Sequence, residues 1–151
     1  MRFQATLGIA DKTGNLFLPG ALLWTAETKV LLGSYDDALD ALGRYEKLVE
    51  RVGSVEGLAW FPSRGVAHRV YGVIAGRRGE PAKALAQFER SLALLAAHGY
   101  KPDLARTYVA LGEFERDRGR AHEAREAFER ATAAFREMGF TFELNRAPSQ
   151  R

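Results

Sequence analysis

Between Arg120 and Met138 the apolar residues return every three or four positions. Ala124, Ala127, Phe128, Ala131, Ala134, Phe135 and Met138 form the series, with charged residues between them. At 3.6 residues per turn this is one apolar stripe, so a helix is predicted over about 120–138. Gly139 follows and supplies a left-handed stop. Ala84, Leu85, Phe88, Leu92 and Leu95 draw the same stripe before Gly99, and Ala38, Leu39, Leu42, Tyr45 and Val49 draw it before Gly53.

Each of these predicted helices has a partner upstream. Leu104, Ala105, Tyr108, Leu111 and Gly112 give a stripe over about 102–118. Val66, Ala67, Val70, Tyr71 and Ile74 give one over about 62–78, and Leu22, Leu23, Ala26, Val30 and Leu31 one over about 18–32. Pro19, Pro62 and Pro102 fall in the first turns, where a missing N–H leaves no bond unmade. The pattern therefore predicts six helices in three antiparallel pairs.

The pairs share a template. Gly33, Gly79 and Gly119 are each followed five residues later by alanine (Ala38, Ala84, Ala124) and nine residues later by a large apolar residue (Leu42, Phe88, Phe128). Each is followed twenty residues later by a second glycine (Gly53, Gly99, Gly139). The lead glycines stand 46 and 40 residues apart. A period in this range means stacked helical hairpins, an architecture that binds partners more often than it catalyses.

A chain of 151 residues is expected to form one domain. The template divides it into an irregular start (1–17), repeat 1 (18–53), repeat 2 (54–99), repeat 3 (100–139) and a tail (140–151). The longer first period places an insertion at 54–61. Its residues Leu58, Ala59, Trp60 and Phe61 favour extra helix kinked at Pro62 over a loop. Residues 1–10 read as a short helix or the remnant of an upstream repeat. In the tail, Phe140, Phe142 and Leu144 either cap the last hairpin or pair two chains through an end face.

At these residues the chain resembles the tetratricopeptide repeat family. Repeat 3 matches best, with Tyr108, Leu111, Gly112, Gly119, Ala124, Phe128 and Ala131. Repeat 2 keeps Gly72, Gly79, Ala84 and Phe88 but has Ser91 at the place of Ala131. Repeat 1 has Ala26 at the place of Gly112 and Leu42 at the place of Phe128. The resemblance covers about residues 19–139 and implies an all-α, right-handed superhelical solenoid of antiparallel helix hairpins, about three repeats long. It further implies a scaffold that binds a protein or peptide.

A narrower resemblance runs through Leu104–Gly112, Gly119, Glu123–Ala127 and Phe135–Gly139. These stretches are similar to the C-terminal repeat arms of large bacterial signalling ATPases, found in multidomain transcription regulators and nucleotide cyclases. The period near 40 fits that group. The resemblance implies a sensor arm, with a small-molecule effector-binding domain as the alternative. It leaves two readings of the chain, a fragment or a stand-alone relative.

Composition narrows the picture. The hydrophobic share of 46% and charged share of 27% are those of an ordinary soluble protein. There is no apolar run of about 18 residues, so no membrane span is expected. The start carries no secretory pattern, and a cytoplasmic location is expected. The chain has no cysteine, which excludes disulfides and thiol catalysis. A net charge of +3 is too small to demand a nucleic-acid partner. Arg64, Arg69, Arg77 and Arg78 lie near Trp60, Phe61 and Tyr71, but Tyr71 sits on the core stripe and is not offered for base stacking.

Catalytic chemistry finds no assembled site. Gly72, Gly76 and Gly79 lack the Gly-Lys-Ser/Thr of a phosphate loop and read as close packing followed by a helix stop. His68, His98 and His122 lie on different predicted helices without metal-ligand spacing and read as solvent-facing. The carboxylate pairs Asp36–Asp37 and Glu113–Glu115 are not aimed at one bond. No enzymatic activity, cofactor or metal is expected.

The candidate binding residues lie off the stripe on the first helix of each pair. Arg69, Val73 and Arg77 lie on the middle one, and Arg106, Val109, Glu113 and Arg116 on the last. Lining a concave groove, the arginines would present planar forks to an acidic peptide or acidic ligand above an apolar floor of Val73 and Val109. The competing reading is a solvated face whose arginines pair with Glu113, Asp117 or water. On the groove reading, replacing Arg69 and Arg106 by alanine weakens capture with little loss of melting temperature.

Overall fold

A computed structural model describes residues 18–52 and 61–139. Among them are six helices and no strand: α1 (Leu18–Leu31), α2 (Tyr35–Val52), α3 (Phe61–Arg77), α4 (Pro81–Ala97), α5 (Lys101–Asp117) and α6 (Ala121–Glu137). The six predicted helices appear, and the four whose limits were predicted are displaced by at most one residue at either end. No helix among the described residues is long and apolar enough to cross a membrane. The expectations for the start (1–17), for Gly53 and the insertion up to Trp60, and for the tail (140–151) lie outside the described residues. Phe61, the last residue of the insertion, is the first of α3.

Glycines end the helices by one mechanism. Gly33, Gly79, Gly99, Gly119 and Gly139 all have positive φ, between 65° and 75°. At Gly119 the N–H donates to the Arg116 carbonyl (2.9 Å), and the Arg120 N–H donates to the Glu115 carbonyl (2.9 Å). This pair of bonds closes the helix end, and it requires a left-handed residue that side chains with a Cβ adopt at a cost. The same pair recurs at Gly33, Gly79 and Gly99. Arg120 then opens α6, because its carbonyl accepts the Ala124 N–H at 3.0 Å. One residue thus closes a helix and opens the next, which keeps each turn short and each hairpin antiparallel.

The contacts gather the chain into two units, Met1–Ser63 and Arg64–Arg151. In the first, α1 and α2 bury Leu18, Leu22, Leu23 and Ala26 with Ala38, Ala41, Leu42 and Tyr45. Burial of each leucine contributes about 1.5–3 kcal/mol against chain entropy. Lys29 of α1 reaches Asp37 in the first turn of α2 at 3.1 Å.

In the second unit, the α3–α4 and α5–α6 hairpins each close through a glycine facing a phenylalanine. A Cβ on Gly72 would lie 2.9 Å from the Phe88 ring, and one on Gly112 would lie 2.6 Å from the Phe128 ring. The two hairpins stack through Ala75, Ala84 and Phe88, against which Ala110, Leu111 and Phe114 of α5 pack. The Phe88 and Phe114 rings are 5.6 Å apart and tilted by 50°. α3 and α5 also touch directly, because Gly76 leaves room for the edge of Phe114. Ala105, Ala131 and Phe135 form the inner cluster of the last hairpin.

Candidate functional site

The contact between α3 and α5 places their outer residues on one shared face. Two aspartates organise it. Asp103, in the first turn of α5, has its Oδ1 3.0 Å from Nη1 of Arg69 and 3.8 Å from Nη1 of Arg106. Asp117, the last residue of α5, has Oδ2 3.6 Å from Nη1 of Arg77 and Oδ1 3.7 Å from Nε of Arg116. Each aspartate therefore stands between an arginine of α3 and an arginine of α5. The four arginines singled out from the sequence are gathered by the fold into two Arg–Asp–Arg groups.

The two groups differ in solvent exposure. Arg69 is only 7% exposed, and its Nη1 also donates to the Asp103 carbonyl at 3.2 Å. A buried guanidinium needs such a partner, since its desolvation is otherwise uncompensated. This corrects the groove reading at that position: Arg69 is a brace between α3 and α5, and its charge faces Asp103. Arg77, Arg106 and Arg116 are 56, 51 and 52% exposed, at ion-pair distances too long for good hydrogen bonds. Exposed pairs of this kind contribute about 0–1 kcal/mol, so a ligand carboxylate can replace them at small cost.

The apolar positions are less open than a groove floor requires. Val73 is half-buried and packs on the Ala75, Ala84 and Phe88 cluster. Val109 is half-buried and packs on Ala105, Ala131 and Phe135. Each keeps part of its surface accessible. Glu113 is exposed, one turn beyond Val109. Its sequence neighbour Glu115 is buried and held by Arg118 at 3.3 Å, so the two carboxylates point apart as expected.

Behind Arg69 lies a polar layer that sequence reasoning missed. Ser91 of α4 donates to the Gly65 carbonyl of α3 (2.7 Å), and its Oγ lies 3.1 Å from Thr107 Oγ1 of α5. Thr107 in turn donates to the Asp103 carbonyl (2.9 Å). His68 is not solvent-facing as expected: it is half-buried, with Nδ1 2.6 Å from Gln87 Oε1. His98 and His122 are exposed. The signal for this layer was present in the repeat. His68, Gln87 and Ser91 stand forty residues before Tyr108, Ala127 and Ala131, so repeat 2 carries polar groups where repeat 3 is apolar.

Among the described residues no three His, Asp or Glu side chains form a group suited to a metal ion. Exposed arginines lie on this face beside the half-buried Val73 and Val109. Residues 63–137, which contain most of α3 and all of α4–α6, match the family model of the tetratricopeptide repeat. No curated protein matches the chain.

Proposed function

We propose that this chain, which belongs to the tetratricopeptide repeat family through residues 63–137, is a non-catalytic scaffold that captures an acidic peptide segment on the α3–α5 face. Arg77, Arg106 and Arg116 supply the charge, and the open parts of Val73 and Val109 supply apolar contact. Arg69 holds the two helices in place beneath them. Glu113 sits among the arginines and disfavours a ligand acid at that point, so the acidic groups of the partner fall on either side of it.

The observation that carries this reading is the state of the three outer arginines. Each is more than half exposed, and each is held by its aspartate only at 3.6–3.8 Å. Asp103 lies closer to Arg69, at 3.0 Å, than to Arg106, at 3.8 Å. The setting we favour is the repeat arm of a bacterial signalling or transcription regulator in the cytoplasm, supported by the period near 40 and the residues of repeat 3.

A fluorescent Asp/Glu-rich peptide, titrated with the chain at low salt, tests the reading. Saturable binding that weakens in Arg77→Ala, Arg106→Ala and Arg116→Ala is the expected result. Equal affinity for an acidic peptide and a Lys-rich peptide of the same length would reject it.

A further inference from the structure

Two rows of side chains run along the α3–α5 face. On α5 the row is Arg106, Val109, Glu113 and Arg116, at steps of three, four and three, so the four lie on one side of the helix in successive turns. On α3 the row is Arg69, Val73 and Arg77, at steps of four. Cations stand at both ends of each row. At one end Arg69 is covered and Arg106 is exposed. At the other end Arg77 and Arg116 are both exposed, 3.6 and 3.7 Å from the Asp117 carboxylate. The ten residues from Arg106 to Arg116 correspond to about 15 Å along the helix axis. Between the ends stand the half-buried Val73 and Val109 and the exposed Glu113.

We infer that this face selects its partner by the spacing of acids: an extended peptide with two acidic side chains four residues apart and no acid between them. The inference rests on the reading of the face as an acidic-peptide site and adds the order of residues that it recognises. In an extended chain the side chains on one side recur every second residue, about 6.6 Å apart. A step of four residues spans about 13 Å, and the long arginine side chains take up the difference from their own separation. A step of two spans about 7 Å and leaves the second acid over the valines or beside Glu113, where it has no cation to meet. A step of six, about 20 Å, carries it past the far arginines. Glu113 supplies the negative part of the selection, because it opposes any acid in the middle. The residue midway between the two acids faces Val73 and Val109, which favours an apolar side chain there. A helical segment would need its acids about ten residues apart. Helices dock through a broad apolar stripe, which two half-buried valines do not offer.

Fluorescence anisotropy of the full chain at low salt, with a set of labelled peptides, tests the spacing. Each peptide carries two glutamates and one leucine in a Ser/Gly host, with the glutamates adjacent, two apart, four apart or eight apart. An alanine-rich helical peptide with glutamates ten apart is added, and a peptide with lysines in place of the glutamates is the control. The four-apart peptide is expected to bind about two- to fivefold more tightly than the adjacent one, the worth of one further exposed ion pair. Arg106→Ala should remove that advantage, because only the four-apart peptide reaches both ends, while its circular dichroism spectrum matches wild type. Arg106→Gln, which keeps most of the side chain's length, should act in the same way. An advantage that persists in both variants would put the second acid elsewhere and overturn the inference. Acidic peptides that all bind alike, yet more tightly than the lysine control, would overturn the spacing and leave peptide capture on this face standing. Tightest binding by the helical peptide would overturn the extended form. Acidic peptides that bind no better than the lysine control would remove peptide capture itself, and the spacing with it.

Discussion

The guanidinium of Arg69 lies 3.0 Å from the carboxylate of Asp103, and both groups are largely withdrawn from water. The pair joins the middle of α3 to the first turn of α5, so it ties one hairpin to the next. Arg69→Ala would take from the Asp103 carboxylate, itself mostly withdrawn from water, its 3.0 Å ion pair. Removing one partner of such a pair costs about 3 kcal/mol. Replacing both, as Arg69→Met with Asp103→Leu, removes the uncompensated charge and should cost clearly less. Urea unfolding of the two variants checks this. An Arg69→Ala chain as stable as wild type would refute the bracing role.

The hydroxyls of Ser91 and Thr107 have two protons for three contacts: the Gly65 carbonyl, the Asp103 carbonyl and each other. One of these contacts is therefore always made without a proton. Ser91→Ala removes the shared contact and leaves Thr107 free to donate to Asp103. The same position in the last hairpin is Ala131, which is fully buried without strain on the pattern. The expected loss is about 1 kcal/mol or less. A double-mutant cycle with Thr107→Val should give a coupling well below that of a fully satisfied hydrogen bond.

The helices and turns were legible because they rest on local rules. Period 3.6 places the stripes, and Gly33, Gly79 and Gly119 adopt the left-handed turn that the repeat template marks. The site was only half legible. Periodicity tells which residues leave the stripe, and it placed Arg77, Arg106, Glu113 and Arg116 on the surface. It cannot tell that an off-stripe arginine will be covered by the next hairpin. Arg69 is buried because Asp103 arrives from α5, thirty-four residues away. The polar layer was missed for a related reason. The burial of His68 and of Ser91 depends on partners on other helices, which no single position reveals.

Charge on the α3–α5 face gives the next expectation. Each of Arg77→Ala, Arg106→Ala and Arg116→Ala should weaken capture of an acidic peptide by about two- to fivefold, the range of an exposed ion pair. Their stabilities should stay near wild type, because all three side chains are more than half exposed. Raising salt toward 1 M should remove most of the affinity, since the Debye length then falls to about 3 Å. Glu113→Gln should tighten binding by removing the repelling carboxylate. Fluorescence anisotropy at two salt concentrations reads all of these. Loss of affinity in Glu113→Gln would show that the glutamate contributes to the contact and would invert this picture.

One substitution, glycine to alanine, should have opposite effects at two helical sites. Gly112 faces Phe128 so closely that a Cβ would lie 2.6 Å from the ring, on a residue 8% exposed with little room to turn. Gly112→Ala must push the ring or part α5 from α6, and such overpacking costs about 1–3 kcal/mol. Gly43, in the middle of α2, has nothing within 4 Å of the same hypothetical atom and no positive φ. There the added methyl only restricts the unfolded chain and improves helix propensity, so Gly43→Ala should stabilise by about 0.5–1 kcal/mol. Repeat 1 already shows how the close contact is relieved. It places Ala26 at the glycine position and the smaller Leu42 at the phenylalanine position, and both are fully buried. Gly112→Ala combined with Phe128→Leu should therefore recover part of the loss of the single variant. Thermal unfolding of the three variants measures the signs directly. A destabilised Gly43→Ala, or a Gly112→Ala that unfolds at the wild-type temperature, would contradict the packing described for these helices.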